Sequence, residues 1–157
     1  MKELNEKIQM FWNSFKEQNP DCKQKDLSDT FYFCDNRKDA DECADLVVKG
    51  VKQATATSLW WFEKNKEPLP KPGDLCIVTN WNGEPKAVIQ TLKIELTAFK
   101  EVSAKFAEVE GEGDKSLSYW RDVHRDYYTR EMAPYNEHFS EDMIIVCEYF
   151  KTIYTHN

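Results

Sequence analysis

A chain of 157 residues, 41% hydrophobic and 31% charged, has the length and composition of one ordinary globular domain. Its formal net charge of −7 opposes long-range capture of a nucleic-acid polyanion, so a small nucleoside-like ligand suits it better than a long duplex. No apolar run is long enough to cross a bilayer, and the stretch Met1–Lys7 lacks the apolar core of a signal peptide, which points to a cytoplasmic protein with no membrane partner.

Five cysteines, at 22, 34, 43, 76 and 147, form no Cys-x-x-Cys pair and no metal-like cluster with the three histidines. Scattered and odd in number, they read as reduced thiols, with no metal and no cofactor expected.

Leu4, Ile8, Phe11, Trp12 and Phe15 recur at helical spacing and predict an amphipathic helix over about 2–18, closed by Asn19-Pro20. Residues 22–29 are polar and loop-like. Residues 30–34 are aromatic-rich and strand-like until Asp35-Asn36 breaks them. Asp35 is then either a turn or cap residue or a polar contact at a pocket rim. Asp39 with Glu42 fits a cap for a second helix over 40–49, whose buried stripe is Cys43, Leu46 and Val47.

The chain is organised around Gly50-Val51-Lys52-Gln53-Ala54-Thr55-Ala56-Thr57-Ser58-Leu59-Trp60-Trp61. Gly50 stops the helix, because glycine reaches the left-handed backbone at no steric cost. Lys52 and Thr55 then fall where a helix gives way to a strand. Three-residue spacing on an ideal strand sends them to opposite faces, so a shared site needs a bend between them. Trp60 and Trp61, continued on the strand, face opposite sides, leaving one ring free to stack on a base.

Pro72-Gly73-Asp74 turns into a strand over 75–80, and Asn82-Gly83 is a hairpin signal. The return strand runs over 87–99 with a bend or bulge. Residues 103–109 predict a short helix. Glu108, Glu110, Glu112 and Asp114 alternate with other residues but do not match an EF-hand loop. Asp114 is expected to cap a helix over 116–132, with Leu117, Trp120, His124 and Tyr127 or Tyr128 on one stripe and Arg121 beside it. A last strand spans 143–154. The pattern is α+β, with the strands mostly antiparallel. Nothing in it fixes an oligomeric state.

Gly50-x-Lys52-x-x-Thr55 resembles the signature of the ASCH domains, a PUA-like family. Phe33-Cys34-Asp35-Asn36, Trp60-Trp61-Phe62, Pro72-Gly73-Asp74 and Glu110-Gly111-Glu112-Gly113-Asp114-Lys115-Ser116-Leu117 are similar to its longer bacterial members. The resemblance implies a small PUA-like β-barrel flanked by helices: one ASCH-type domain over 1–157 with a helical extension over about 1–30. More distantly the chain resembles the bacterial acetylcytidine amidohydrolases. Their working lysine and threonine match Lys52 and Thr55, and the segment 106–110 places their glutamate at Glu110. Those enzymes are shorter and carry an arginine where this chain has Thr57, which leaves the substrate open.

The resemblance thus implies a hydrolase on a modified nucleoside, with Lys52, Thr55 and Glu110 as catalytic candidates. Asp35, Trp60, Trp61, Arg121 and His124 are substrate-binding candidates. The ligand is expected between the 50–61 stretch and the 110–114 loop. The alternatives are a non-catalytic module for single-stranded RNA, or a weak metal-independent ribonuclease built from His124, Glu110, Lys52 and Arg121. For Lys52 to act as a general base its pKa must fall from about 10.4 toward about 7–8. A close Glu110 instead holds the ammonium charged and makes it a stabiliser of an oxyanion. Replacing Lys52, Thr55 or Glu110 is expected to remove activity while leaving thermal stability nearly unchanged.

Overall fold

Alternation along the central strands decides where the helices go. In the computed structural model, which describes residues 2–156 apart from the side chains of Lys2 and Leu4, Leu75 and Ile77 face one side of strand β3 (Leu75–Thr79). There they meet Phe11, Trp12 and Phe15 of helix α1 (Lys2–Gln18). Val78 faces the other side, against Cys43, Ala44 and Val47 of helix α2 (Arg37–Val48). The two helices therefore cover opposite faces of the sheet. Of the predicted stripe of α1, Phe11, Trp12 and Phe15 are buried and Ile8 is half-buried beside them, while Leu4 lies outside the described side chains.

The sheet has the order β1 (Asp29–Phe31), β3, β4 (Pro85–Ala98), β5 (Ile144–Thr155), β2 (Ala54–Ser58). Strand β1 runs parallel to β3, and every other pairing is antiparallel. Strand β4 returns from the turn at Asn80–Glu84, where Gly83 lies at φ 86° and its N–H donates to the Asn80 carbonyl. Register shifts at Val88/Ile89 and Thr91/Lys93 interrupt its pairing with β5. Such bulges bend and twist the strand, and the sheet curls into a half-barrel. The architecture is α+β and PUA-like, as expected. A third core joins β2 and β5 to helices α4 (Ala104–Glu110) and α5 (Leu117–Met132), through Ile145, Cys147, Phe106 and Trp120. Among the described residues, no helix is long and apolar enough to cross a membrane.

Local chemistry moves several boundaries. Trp60 and Trp61 lie not on a strand but in helix α3 (Leu59–Asn65), because the Ser58 hydroxyl accepts from the Trp61 N–H and caps a new helix. The expectation that they face opposite sides of a strand falls with this. Helix α2 starts earlier than predicted. Asn36 is its cap, accepting from the Asp39 N–H, while its side-chain amide donates back to the Asp39 carboxylate. Helix α5 is capped by Ser116 rather than Asp114; Asp114 accepts from the Ser116 N–H just outside it.

Candidate active site

Two helix ends converge to build the site. Gly50, at φ 73°, turns the chain back on α2, so that the N–H groups of Val51 and Lys52 both donate to the Leu46 carbonyl. The next residue, Gln53, donates its N–H to the carbonyl of Val109 in α4. Helix α4 ends on Gly111 at φ 76°, where a Cβ would stand 2.6 Å from the Val51 carbonyl oxygen. The backbones are thus clamped together, with Lys52 on one and Glu110 on the other.

Lys52 is 1% exposed. Its Nζ donates to the Ala54 carbonyl at 2.8 Å, to Glu110 Oε2 at 3.1 Å and to Glu112 Oε2 at 2.8 Å. An ammonium has three N–H donors, and here all are used. The Phe33 ring lies under it, with its centroid 4.8 Å from Nζ. The other oxygen of Glu110 accepts from the Trp120 indole N–H and sits 3.4 Å from His124 Nε2. His124 Nδ1 is 2.8 Å from the Trp120 carbonyl, which requires a proton on that nitrogen. Its ring stacks on Trp120, with centroids 4.2 Å apart.

The charges follow from these contacts. Burial pulls the Lys52 pKa down, but Glu110 and Glu112 outweigh it and hold the ammonium above its ordinary range. Burial works to keep Glu110 protonated, yet Lys52 and His124 overcome it and hold the carboxylate ionised well below its usual range. His124 is likewise disfavoured as a cation by burial and carried above its ordinary value by Glu110. Glu112 goes the other way: burial and the charge of Glu110 raise it despite Lys52. The cluster is a fixed cation, a fixed anion, a histidine raised above its ordinary value, and a second carboxyl raised above its ordinary value.

Glu110, Glu112 and His124 bring potential ligand atoms within 4.8 Å of one another. The Lys52 ammonium bonds to both carboxylates and supplies the positive charge that a metal cation would bring.

A model of the ASCH domain family matches residues 29–154. The chain belongs to the ASCH domain family. A crystal structure of an ASCH domain from Lactobacillus crispatus JV V101 is 36% identical over 94% of both chains, with a TM-score of 0.88. The structure of protein EF3133 from Enterococcus faecalis V583, described by the family model DUF984, is 32% identical over 94% of this chain and 88% of that one, with a TM-score of 0.85. Hypothetical protein PH0355, at 22% identity and a TM-score of 0.54, shares the fold. No curated protein matches the sequence.

In this ASCH domain Glu110 bonds Lys52 and lies beside His124; among the described residues no hydrogen bond or ion pair joins the other sequence-derived candidates to these three. Thr55 is half-buried on β2 opposite Glu148, and among the described residues no hydrogen bond joins its hydroxyl to Lys52, Glu110 or Glu112. Asp35 pairs with Arg130 of α5 at 3.1 Å. Trp60 donates its indole N–H to Glu137 and meets Tyr135 edge-on. Trp61 packs edge-on against Phe62. Arg121 points toward the Lys100 carbonyl at 3.5 Å. Sequence reasoning passed over Glu112, which it saw only as part of an acidic run without an EF-hand pattern. It also assigned no site role to Phe33 or Trp120. The available signal was Gly111-Glu112-Gly113, where both glycines take positive φ and turn one carboxylate back toward the helix end.

Proposed function

We propose that this ASCH domain binds a nucleoside-sized ligand against the Lys52 cluster and hydrolyses an N-acyl group carried by its base. One observation supports this above all: a fully buried ammonium shared by two carboxylates, one held ionised and the other raised above its ordinary value. That is the charge arrangement amide hydrolysis asks for, a fixed cation where an oxyanion develops and a proton-exchanging group beside it.

Lys52 stays charged and acts as the oxyanion stabiliser, not as the base. The ligand's acyl oxygen takes the N–H of Lys52 that Glu112 holds in the free protein. Released from that bond, Glu112 in its ionised form removes a proton from a water molecule as the water oxygen bonds to the acyl carbon. The tetrahedral oxyanion collapses, the C–N bond breaks, and the Glu112 carboxyl returns its proton to the departing amine. Glu110 remains ionised and fixes both Lys52 and His124. Thr55 has no base among its hydrogen-bond partners, so water is the simpler nucleophile.

The ribonuclease alternative draws on His124, Glu110 and Lys52, which are linked through Glu110, but its phosphate cation Arg121 is directed to the Lys100 carbonyl instead. The test is a tryptophan-fluorescence titration with N-acylated cytidines, alongside an assay for the released carboxylate. A saturable response to the nucleoside with carboxylate release is expected. A response to long RNA alone, falling steeply with salt, would establish the RNA-binding module instead.

A further inference from the structure

Beside the Lys52 cluster lies a second chemical feature that amide hydrolysis does not use. Cys34 Sγ lies 3.6 Å from Cys43 Sγ. Cys34 follows Phe33, whose ring underlies the Lys52 ammonium. It occupies the left-handed region at φ 69°, which non-glycine residues seldom adopt. Such a conformation persists where surrounding structure holds it. Here the chain reverses between β1 and α2, and the Cys34 sulfur meets the second turn of that helix. Cys43 is buried on α2 among Phe33, Ala44 and Val47, whereas Cys34 is part-exposed. The two thiols thus differ in access while touching each other.

We propose that Cys34 and Cys43 form a reversible dithiol–disulfide pair beside this cluster, oxidised by exchange with a small-molecule disulfide. A disulfide requires an S–S separation of about 2.05 Å, so the sulfurs need to close by about 1.5 Å. The accessible Cys34 thiolate attacks the small disulfide. A Cys34–S bond forms, the old S–S bond breaks, and one thiolate leaves. Cys43 then gives up its proton and its sulfur attacks Cys34, expelling the second thiolate. The protein loses two thiol hydrogens and two electrons; the small disulfide gains both and becomes two thiols.

The order of attack follows from the local chemistry. The contact with Cys34, then burial, push the Cys43 thiol well above its usual range, so the part-exposed Cys34 attacks first; once Cys34 carries the mixed disulfide that contact is relieved and Cys43 follows as the resolving thiol. Glu112 also lies within reach of both sulfurs, but its carboxylate is engaged by Lys52, whose positive charge disfavours a metal cation at the same place.

The test is incubation of the full chain with oxidised glutathione, followed by intact mass and peptide mapping after alkylation without reductant. The expected product has lost two hydrogens, contains a Cys34–Cys43 cross-linked peptide, leaves Cys22, Cys76 and Cys147 open to alkylation, and reverts with dithiothreitol. Cys43→Ser should instead accumulate a stable glutathione adduct on Cys34. A wild-type chain that keeps the adduct on Cys34, cross-links other cysteines, or stays unreacted while Cys34 alkylates freely would overturn the proposal. The readout is mass alone, so it succeeds or fails independently of acyl-nucleoside hydrolysis.

Discussion

Lys52 Nζ and Glu110 Oε2 meet at 3.1 Å with their side chains only 1% and 3% exposed. An ion pair this deep is costly to form, and breaking it by removing one partner costs about 3–5 kcal/mol because the other charge is left buried. Sequence alone suggests that Lys52→Met leaves stability nearly untouched; the burial reverses that expectation. Lys52→Met should lose about 3–5 kcal/mol in urea denaturation. The double variant Lys52→Met/Glu110→Gln should lose clearly less than the two single losses added together, since neither charge is then stranded. Losses that simply add would mean the pair is not coupled.

Glu131 gives a pH-dependent prediction. Burial, with Asp35 nearby, pushes its carboxyl up to about 7 against the hydrogen bond from Ser58. Its unfolded value is about 4.3. Between those values the folded chain binds more protons than the unfolded one, so this group's contribution is fully present below about 4.3 and is lost as pH rises through about 7. Glu131→Gln should therefore raise stability at pH 8 by about 1–3 kcal/mol and change it little at pH 4. Thermal melts at the two pH values measure this; an equal shift at both would contradict it.

Gly111 and Gly73 separate backbone strain from collision. Both take positive φ, but a Cβ at Gly73 meets nothing within 4 Å, whereas one at Gly111 meets the Val51 carbonyl oxygen at 2.6 Å. Gly73→Ala should cost only the left-handed penalty of about 1–2 kcal/mol. Gly111→Ala should cost more, and should also weaken ligand binding, because relief of the clash parts the backbones that carry Lys52 and Glu110. Urea titration and fluorescence titration of both variants check this ordering.

Legibility in the sequence followed how local the determining physics is. The stripes of α1 and α5 were readable because periodicity alone decides which side is buried. Gly50 was readable as a helix stop because its left-handed conformation is a one-residue property. Trp60 and Trp61 were misplaced because a single hydroxyl, Ser58, ends the strand and starts a helix within one residue. The meeting of Lys52 with Glu110, 58 residues apart, came from family resemblance; no periodicity in the chain encodes it. Glu112 escaped because its role depends on two glycines reversing the loop toward a lysine distant in sequence.

The measurement that bears most directly on the proposed site is the pH dependence of N-acylcytidine hydrolysis by the parent chain and by Glu112→Gln. Burial and Glu110 raise the Glu112 carboxyl, so a base at that position should make activity rise through a range above that of an ordinary carboxylate and then level off while Lys52 remains charged. Glu112→Gln should lower turnover about 100-fold or more and abolish that rise. Activity that keeps climbing into the range where lysines lose their protons, or a Glu112→Gln variant as active as its parent with the same profile, would contradict the account.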